Sequence, residues 1–316
     1  MKFFIAGGTG FIGKHLINTL SKDGYNVRCL VRTEEKAAVC KKAGFEAAIG
    51  DITDSESLKE RLDNCDVVVH LVGIVEEKGG MTFERVHVEG TRNLIDEAKR
   101  ANIKYIFYQS ALGSSVNSWA KYYKTKAEAE EIVRTSGIPY IIFRPSLVIG
   151  RGDGFTEKLK ELVRLGPFVP IPGSGDSKFQ PIYVEDWVKC FMTLFSPPLI
   201  PPLARGGKGG EDASRIYEFG GPEHLTYNEI VLQLMEAMGI NKPLIHLPLK
   251  LIRLSLPFSG ISRGIGSLFG RKIPMATSEQ LSLLQFDNIC DKDSVGRNFG
   301  FIPMTYREAL KLFIKE

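Results

Sequence analysis

The sequence predicts a doubly wound α/β protein, with a parallel sheet covered by helices on both faces and a smaller, mostly helical domain after it. Three observations predict this class. A glycine series, Gly7, Gly10 and Gly13, follows a short apolar run at the start of the chain. Apolar runs of four to seven residues then alternate with helical patterns of about ten, the rhythm of βαβ units. The run DVVVHLV (Asp66–Val72) is apolar without alternation, as a strand buried on both faces requires.

The elements follow in order. Lys2–Ala6 reads as a strand and Lys14–Lys22 as a helix. Asn26–Val31 is β-rich and Glu34–Lys42 helical. Phe45–Ile49 is a strand, and Ser55–Leu62 a helix capped by Asp54 or Ser55. Val88–Arg100, Lys121–Arg134 and the strands Lys104–Tyr108 and Pro139–Arg144 complete the first half. After Gly150 the rhythm breaks into a Pro- and Gly-punctuated stretch holding one helix, Glu157–Leu165. A strand-like QPIYV (180–184), a helix at 185–194, a strand at 216–219 and a helix at 226–238 follow. The last has Thr226 as cap and Glu229 three residues on, a capping box. The domains are expected at 1–150, with 180–195 packing back onto it, and at 151–316. Residues 197–210 hold four prolines and four glycines, so 197–212 reads as a surface insertion or, alternatively, a lid.

Composition narrows the function. The 316 residues are 43% hydrophobic and 25% charged, a globular balance. The five cysteines form no CxxC pair, so neither a disulfide framework nor a metal site is expected, and reduced thiols in a cytoplasmic protein are. No apolar run has the length of a membrane span, and FFIA before the glycines is too short for a signal-peptide core. The net charge of +4 sits in one late segment. Residues 237–278 carry no acid but six bases: Lys242, Lys250, Arg253, Arg263, Arg271 and Lys272. A basic character confined in this way argues against nucleic acid as a partner.

The glycine series reads GxxGxxG, between a strand and a helix, where a dinucleotide cradle needs it. Gly7 permits a tight turn, Gly10 lets a pyrophosphate approach the backbone, and Gly13 lets the helix close on the sheet. Thr9, Phe11 and Ile12 lie within the same cradle. The bland alternative is a structural turn. The second strand ends in Arg32, with Lys36 one turn on, where a site for NAD usually has an acid. A guanidinium suits a 2′-phosphate, so NADP(H) is preferred and NAD(H) is the alternative. Asp51 can accept from an adenine amino group, with Ile52 packed on the ring. Leu71, Val72 and Gly73 let a cofactor lie against the fourth strand end.

Tyr122 and Lys126 stand at i and i+4, on one helix face, and Ser110 ends the fifth strand twelve residues earlier. A phenol of pKa ~10 is a poor base at neutral pH, and a nearby ammonium lowers that value. With a hydroxyl to steady a carbonyl, the three form an acid/base unit for moving a proton while a hydride moves at carbon. The alternatives are an exposed turn, or Tyr123 as the inward aromatic.

GGTGFIG, GDITD, the Ser110, Tyr122 and Lys126 set, FRPSLVIGRGD and QPIYVEDW together resemble an extended or atypical short-chain dehydrogenase/reductase, over nearly the whole chain outside 197–212. The resemblance implies a Rossmann fold, Tyr122 as acid/base, Lys126 on the nicotinamide ribose and lowering the Tyr122 pKa, and Ser110 orienting substrate. It also implies that Arg144, Pro145 and Ser146 line the nicotinamide end. VHVEGTRNLIDEA, YYKTKAEAEEIVR, FGGPEHLTYNEI and QLSLLQFDN are similar to one branch, the NADPH-binding accessory subunit of respiratory complex I and its bacterial relatives. One departure stands out. The helix that often begins NVxGT begins His87-Val88-Glu89-Gly90-Thr91 here, without the Asn.

Three functions are therefore expected in order. The first is an NADP(H)-dependent oxidoreductase acting on a carbonyl or alcohol. The second is a non-catalytic NADPH-holding subunit of a membrane respiratory complex. The third is a sugar-nucleotide epimerase or dehydratase. The partners expected are a small-molecule substrate, a protein complex or homodimer, and the inner face of a membrane through 247–272, whose Lys250 and Arg253 share a helix face. The competing reading of 247–272 is a helix pair of the second domain.

Overall fold

The computed structural model describes residues 1–195, 214–248 and 278–314. The insertion at 197–212 and, apart from Leu247 and Pro248, the basic stretch 247–272 lie outside the described residues. The chain divides into two compact units. The first comprises Met1–Pro145 with Val184–Phe219, the second Ser146–Tyr183 with Gly220–Glu316.

The first unit is built on seven parallel strands: β1 (Lys2–Ala6), β2 (Asn26–Val31), β3 (Glu46–Ile49), β4 (Val67–His70), β5 (Tyr105–Gln109), β6 (Tyr140–Pro145) and β11 (Arg215–Phe219). Their order is β11-β6-β5-β4-β1-β2-β3. The order reverses between β1 and β4, the switch point at which such sheets hold their ligands. The expected doubly wound sheet is therefore present. Side chains alternate between its faces. Phe4, Val68, Ile106, Tyr108 and Ile142 pack with α3 (Ser55–Leu58), α4 (Gly90–Arg100) and α5 (Lys121–Arg134). Phe3, Phe107 and Phe143 point the other way, onto Trp187, Phe191 and Phe195 of α7 (Val184–Phe195). The Phe107 and Phe191 rings meet at 4.8 Å. Each such fully buried ring contributes about 1.5–3 kcal/mol relative to exposure.

Two helices differ from expectation. The helix at 55 stops at Leu58 rather than Leu62, because Glu60 takes a left-handed φ of 63° and its N–H turns to the Glu97 carboxylate at 2.7 Å. The helix expected at Val88 starts earlier, as a widened π-turn over Glu84–Glu89 that runs straight into α4. There the Thr91 hydroxyl donates back to the His87 carbonyl.

The second unit pairs short strands around its own core. The Pro/Gly stretch, read from sequence as loop, forms β8 (Val169–Pro172), parallel to β13 (Leu244–Leu247). Pro170 and Pro172 sit at alternate positions, so the ladder uses the N–H groups of Val169 and Gly173 on either side of them. β7 (Val148–Ile149) pairs with β10 (Ile182–Tyr183), and β9 (Lys178–Phe179) with β12 (Leu225–Thr226). Ile149, Leu159, Val163, Ile171, Ile230, Leu234 and Leu310 form the core between these pairs and helices Gly154–Arg164, Tyr227–Ala237 and Tyr306–Phe313. The capping box at Thr226 and Glu229 is present, and Thr305 with Glu308 makes a second.

One contact in the first unit is exacting. A Cβ on Gly13 would lie 2.2 Å from the Gly7 carbonyl oxygen and 2.7 Å from the Gly8 Cα. Both obstacles are backbone, so neither can swing aside. Gly13→Ala is expected to cost about 1–3 kcal/mol, the range of an overpacked core, read as a lower urea midpoint at unchanged slope.

Candidate dinucleotide and redox site

The cradle forms where β1 ends. Gly7 has φ +94°, a conformation open to glycine, and a Cβ there would lie 3.0 Å from the Leu71 carbonyl carbon. The Gly10 N–H closes a turn on the Gly7 carbonyl at 2.9 Å, and Gly10 then caps α1 (Phe11–Lys22). No side chain caps this helix and its first turn carries no acid, so its free N–H groups and positive dipole end are open to an anion. A cleft of about 250 Å³ runs from this point. Gly7, Thr9, Gly10, Arg32, Lys36, Asp51, Ile52, Leu71, Val72 and Gly73, all expected there, line it. Ile74, Met81 and Val86 complete its apolar side.

Within that list the roles differ. Arg32 and Lys36 are exposed, at the end of β2 and the start of α2 (Glu34–Lys42). One Asp51 oxygen accepts from the Thr53 N–H at 2.9 Å and the Thr53 hydroxyl at 3.0 Å. Ile52 is buried, and Gly90 exists to make room for it: a Cβ there would meet Ile52 Cδ1 at 2.6 Å. Phe11 and Ile12 are half-buried in the first turn of α1, outside the cleft lining, with the Phe11 ring on His15 at 5.7 Å.

Helix α5 presents Tyr122, Lys126 and Glu130 at four-residue intervals. The Tyr122 ring lies edge-on to His87 at 5.7 Å and to Phe83 at 5.9 Å. Lys126 is buried, 3% exposed, and donates to the Gln109 carbonyl, with its ammonium 4.4 Å above the Tyr108 ring. A Cβ on Gly73 would come within 3.8 Å of Lys126 Nζ and 3.6 Å of His87 Nε2. The cleft wall at Gly73 therefore lies beside both groups.

Residues 7–159 match the family model described as NAD(P)H-binding. This chain carries an NAD(P)H-binding domain. The mitochondrial NADH dehydrogenase [ubiquinone] 1 alpha subcomplex subunit 9 of Arabidopsis thaliana is 29% identical over 72% of the chain. The match spans just over half of that subunit, 55% of its length. The 4-hydroxy-2-methyl-3-oxo-4-farnesyl-3,4-dihydroquinoline-1-oxide ketoreductase of Stigmatella aurantiaca is 28% identical over 98% of this chain and 95% of its own. Among solved structures, the dTDP-glucose 4,6-dehydratase DesIV of Streptomyces venezuelae, with NAD bound, aligns at a TM-score of 0.69 and 19% identity, covering 100% of this chain and 96% of that one. Both kinships read from the sequence, the extended reductases and the complex I branch, are thus found. The chain is similar in sequence to a ketoreductase and a respiratory-complex subunit, and its fold is that of the solved dehydratase.

Within the NAD(P)H-binding domain, three of the expected site groups have partners in the protein. Arg144 is engaged by two carboxylates. Its Nε and one terminal nitrogen bind Glu130, and the other binds Glu218, at 2.5–2.9 Å, which commits the guanidinium to α5 and β11. Ser110 donates to the buried Glu130 carboxylate, and its oxygen lies 3.1 Å from Ser114 Oγ. Its proton is therefore spent inside the protein. Lys126 does not lower the Tyr122 pKa here. The amine is drawn to Gln109 and Tyr108, while burial and the neighbouring Tyr123 push the Tyr122 phenol up. Pro145 accepts from the Leu112 N–H at 2.9 Å, and Ser146, in the second unit, bonds Asn288 and Gln180.

Two residues absent from the expected site emerge. His87, noted in the sequence only as a departure, is buried beside Tyr122. Glu130 joins Ser110 to Arg144. The spacing of Glu130, four beyond Lys126, was the available signal. Among the described residues there is no metal-holding group of three His, Cys, Asp or Glu side chains, and no helix long and apolar enough to cross a membrane.

Burial holds the Lys126 pKa down to about 7, with Glu130 opposing. In the unfolded chain it is near ~10.4, so between these values the unfolded state binds more protons and stability rises with pH. From pH 7 to 9 the gain is about 2 kcal/mol. Urea unfolding of wild type is expected to show it, and Lys126→Met to flatten it.

Proposed function

We propose that the protein is an NADP(H)-dependent oxidoreductase that interconverts a carbonyl and an alcohol, with Tyr122 as the proton-transfer group. One observation carries the reading: a Cβ on Gly73, which lines the dinucleotide cleft, would come within 3.8 Å of Lys126 Nζ, and Lys126 shares a face of α5 with Tyr122. The wall of a cleft suited to a dinucleotide thus lies beside an amine on the helix that also carries the phenol. A bound reduced nicotinamide would supply the hydride. The Tyr122 hydroxyl would give its proton to the oxygen that becomes the alcohol. Lys126, released from the Gln109 carbonyl, would hold the ribose and favour the phenolate left behind. The buried Glu130 opposes the effect of burial on that amine.

The preference for the 2′-phosphorylated form rests on Arg32 and Lys36, two cations on the cleft at the end of β2. Each can make charge-assisted hydrogen bonds to a phosphate. Similarity to a ketoreductase along nearly the whole chain supports a carbonyl substrate.

A second reading has its own support: the protein holds NADPH as a fixed part of its structure and serves a membrane respiratory complex. It rests on the relative from NADH dehydrogenase and on the raised Tyr122 phenol with its amine drawn aside. In both readings the protein works in the cytoplasm, with its free cysteines reduced.

Arg32→Ala is expected to weaken NADPH binding by about 1.5–3 kcal/mol, roughly 10- to 100-fold, and leave NADH binding unchanged. Equal loss for both cofactors in fluorescence titration contradicts the assignment. Tyr122→Phe is expected to lower carbonyl reduction by about 10²–10⁴-fold with NADPH affinity kept. Retained cellular function in that variant favours the second reading.

A further inference from the structure

We propose that His87 is a positioning residue, which ties the strand end carrying Gly73 to the helix carrying Tyr122 and Lys126 and thereby sets the nicotinamide end of the dinucleotide against the phenol. This rests on the reading of the site given above.

The hydrogen bonds define the state of the ring. His87 is 1% exposed. Its Nε2 lies 3.1 Å from the Ile74 N–H, and a backbone N–H can only donate, so Nε2 holds a lone pair. The ring proton is therefore on Nδ1, which donates to Thr125 Oγ1 at 2.9 Å. Thr125 passes its own proton to the Lys121 carbonyl at 2.9 Å. The Tyr122 carbonyl, at 3.2 Å, is a second acceptor for the same hydroxyl, so Thr125 is left to accept from the ring. Ile74 follows Gly73 directly, and Thr125 lies between Tyr122 and Lys126. One imidazole thus spans the cleft wall and the acid/base helix.

The surroundings keep the ring neutral. Lys126 from α5 and His70 from β4 are the titratable groups whose charges bear on it, and Tyr122 and Phe83 flank its faces. Burial and the Lys126 charge push its pKa down to about 2. A proton on Nε2 would also face the Ile74 N–H. His87 therefore neither gives nor takes a proton during a reaction. It acts through what it holds.

The backbone is shaped to present it. His87 lies in the π-turn, a widened turn that re-aims side chains. The turn is pinned by the Thr91 hydroxyl on the His87 carbonyl, and Thr91 in turn accepts from His70 Nε2 at 3.0 Å. With its proton on Nε2, His70 keeps a bare Nδ1, which is buried without a partner. Two histidines, each locked in a single tautomer, thus brace the site from beneath.

The test compares His87→Phe, which keeps a ring and loses both bonds, with His87→Gln, which reaches Ile74, and Thr125→Val, which removes the other end. Each is checked for folding by its urea midpoint, and loaded with NADPH. In His87→Phe, NADPH affinity is expected to stay within about 3-fold, since the phosphate and adenine contacts lie elsewhere. The emission enhancement of the bound nicotinamide is expected to be lost, and kcat for carbonyl reduction to fall about 100-fold at similar KM, as for a misplaced reacting group. His87→Gln should recover most of both, and Thr125→Val should resemble His87→Phe. Nitrogen-15 spectra of wild type should show His87 with its proton on Nδ1 and no titration from pH 5 to 8. Wild-type emission and kcat in His87→Phe overturn the proposal, as does a His87 signal titrating near pH 6.5. If wild type reduces no carbonyl, the oxidoreductase reading falls, and the nicotinamide emission of the variants still decides the role of His87.

Discussion

The first unit depends on backbone meeting backbone without a side chain between. Gly7 sits against Leu71 and Val72 at the ends of two neighbouring strands, and Gly13 sits against Gly7 and Gly8. These contacts bring β1, β4 and the start of α1 together at the point where strand order reverses. They leave the helix N-terminus bare, with no capping side chain, facing a cleft. A fold that spends glycine in this way gives up side-chain burial to gain a surface of N–H groups. Anions are the natural ligands of such a surface.

Helix α5 is held to the sheet by buried polar links rather than by apolar packing alone. Glu130, 2% exposed, receives Ser110 from the residue just after β5 and the Arg144 fork from β6, while Glu218 of β11 takes the remaining guanidinium nitrogen. Lys126 is pulled to β5 through the Gln109 carbonyl, and Gln109 is fixed in turn by the Trp187 indole at 3.0 Å. Glu130, Ser110, Arg144 and Lys126 each have a partner whose loss would leave a polar group unpaired in a low-dielectric interior, so the arrangement is specific as well as stable. The same burial lowers the Lys126 pKa and raises that of the Tyr122 phenol. The protonation of both groups is thus set by how deeply α5 is seated.

Much of this was legible in the sequence, for local reasons. The glycine series, the strand and helix periods and the four-residue spacing of Tyr122 and Lys126 are all short-range signals. Thr226 and Glu229 announced a capping box and made one. What stayed hidden depends on long-range pairing. Arg144 reads as a lining residue until β11, 74 residues later, puts Glu218 beside it. Ser110 reads as a substrate contact until Glu130, 20 residues on, takes its proton. His87 reads as a missing Asn until the π-turn aims it between Ile74 and Thr125. Strands β8 and β13 hid behind prolines because their ladder avoids the proline positions.

The central claim is that one dinucleotide reaches from the glycine turn to the first turn of α5. Hydrogen exchange of the whole chain with and without NADPH tests it most directly. The account predicts slower exchange at Gly10–Gly13, at Leu71–Ile74 and at the first-turn amides of α5, Tyr122–Lys124. Protection confined to the glycine turn, with α5 unchanged, would contradict it.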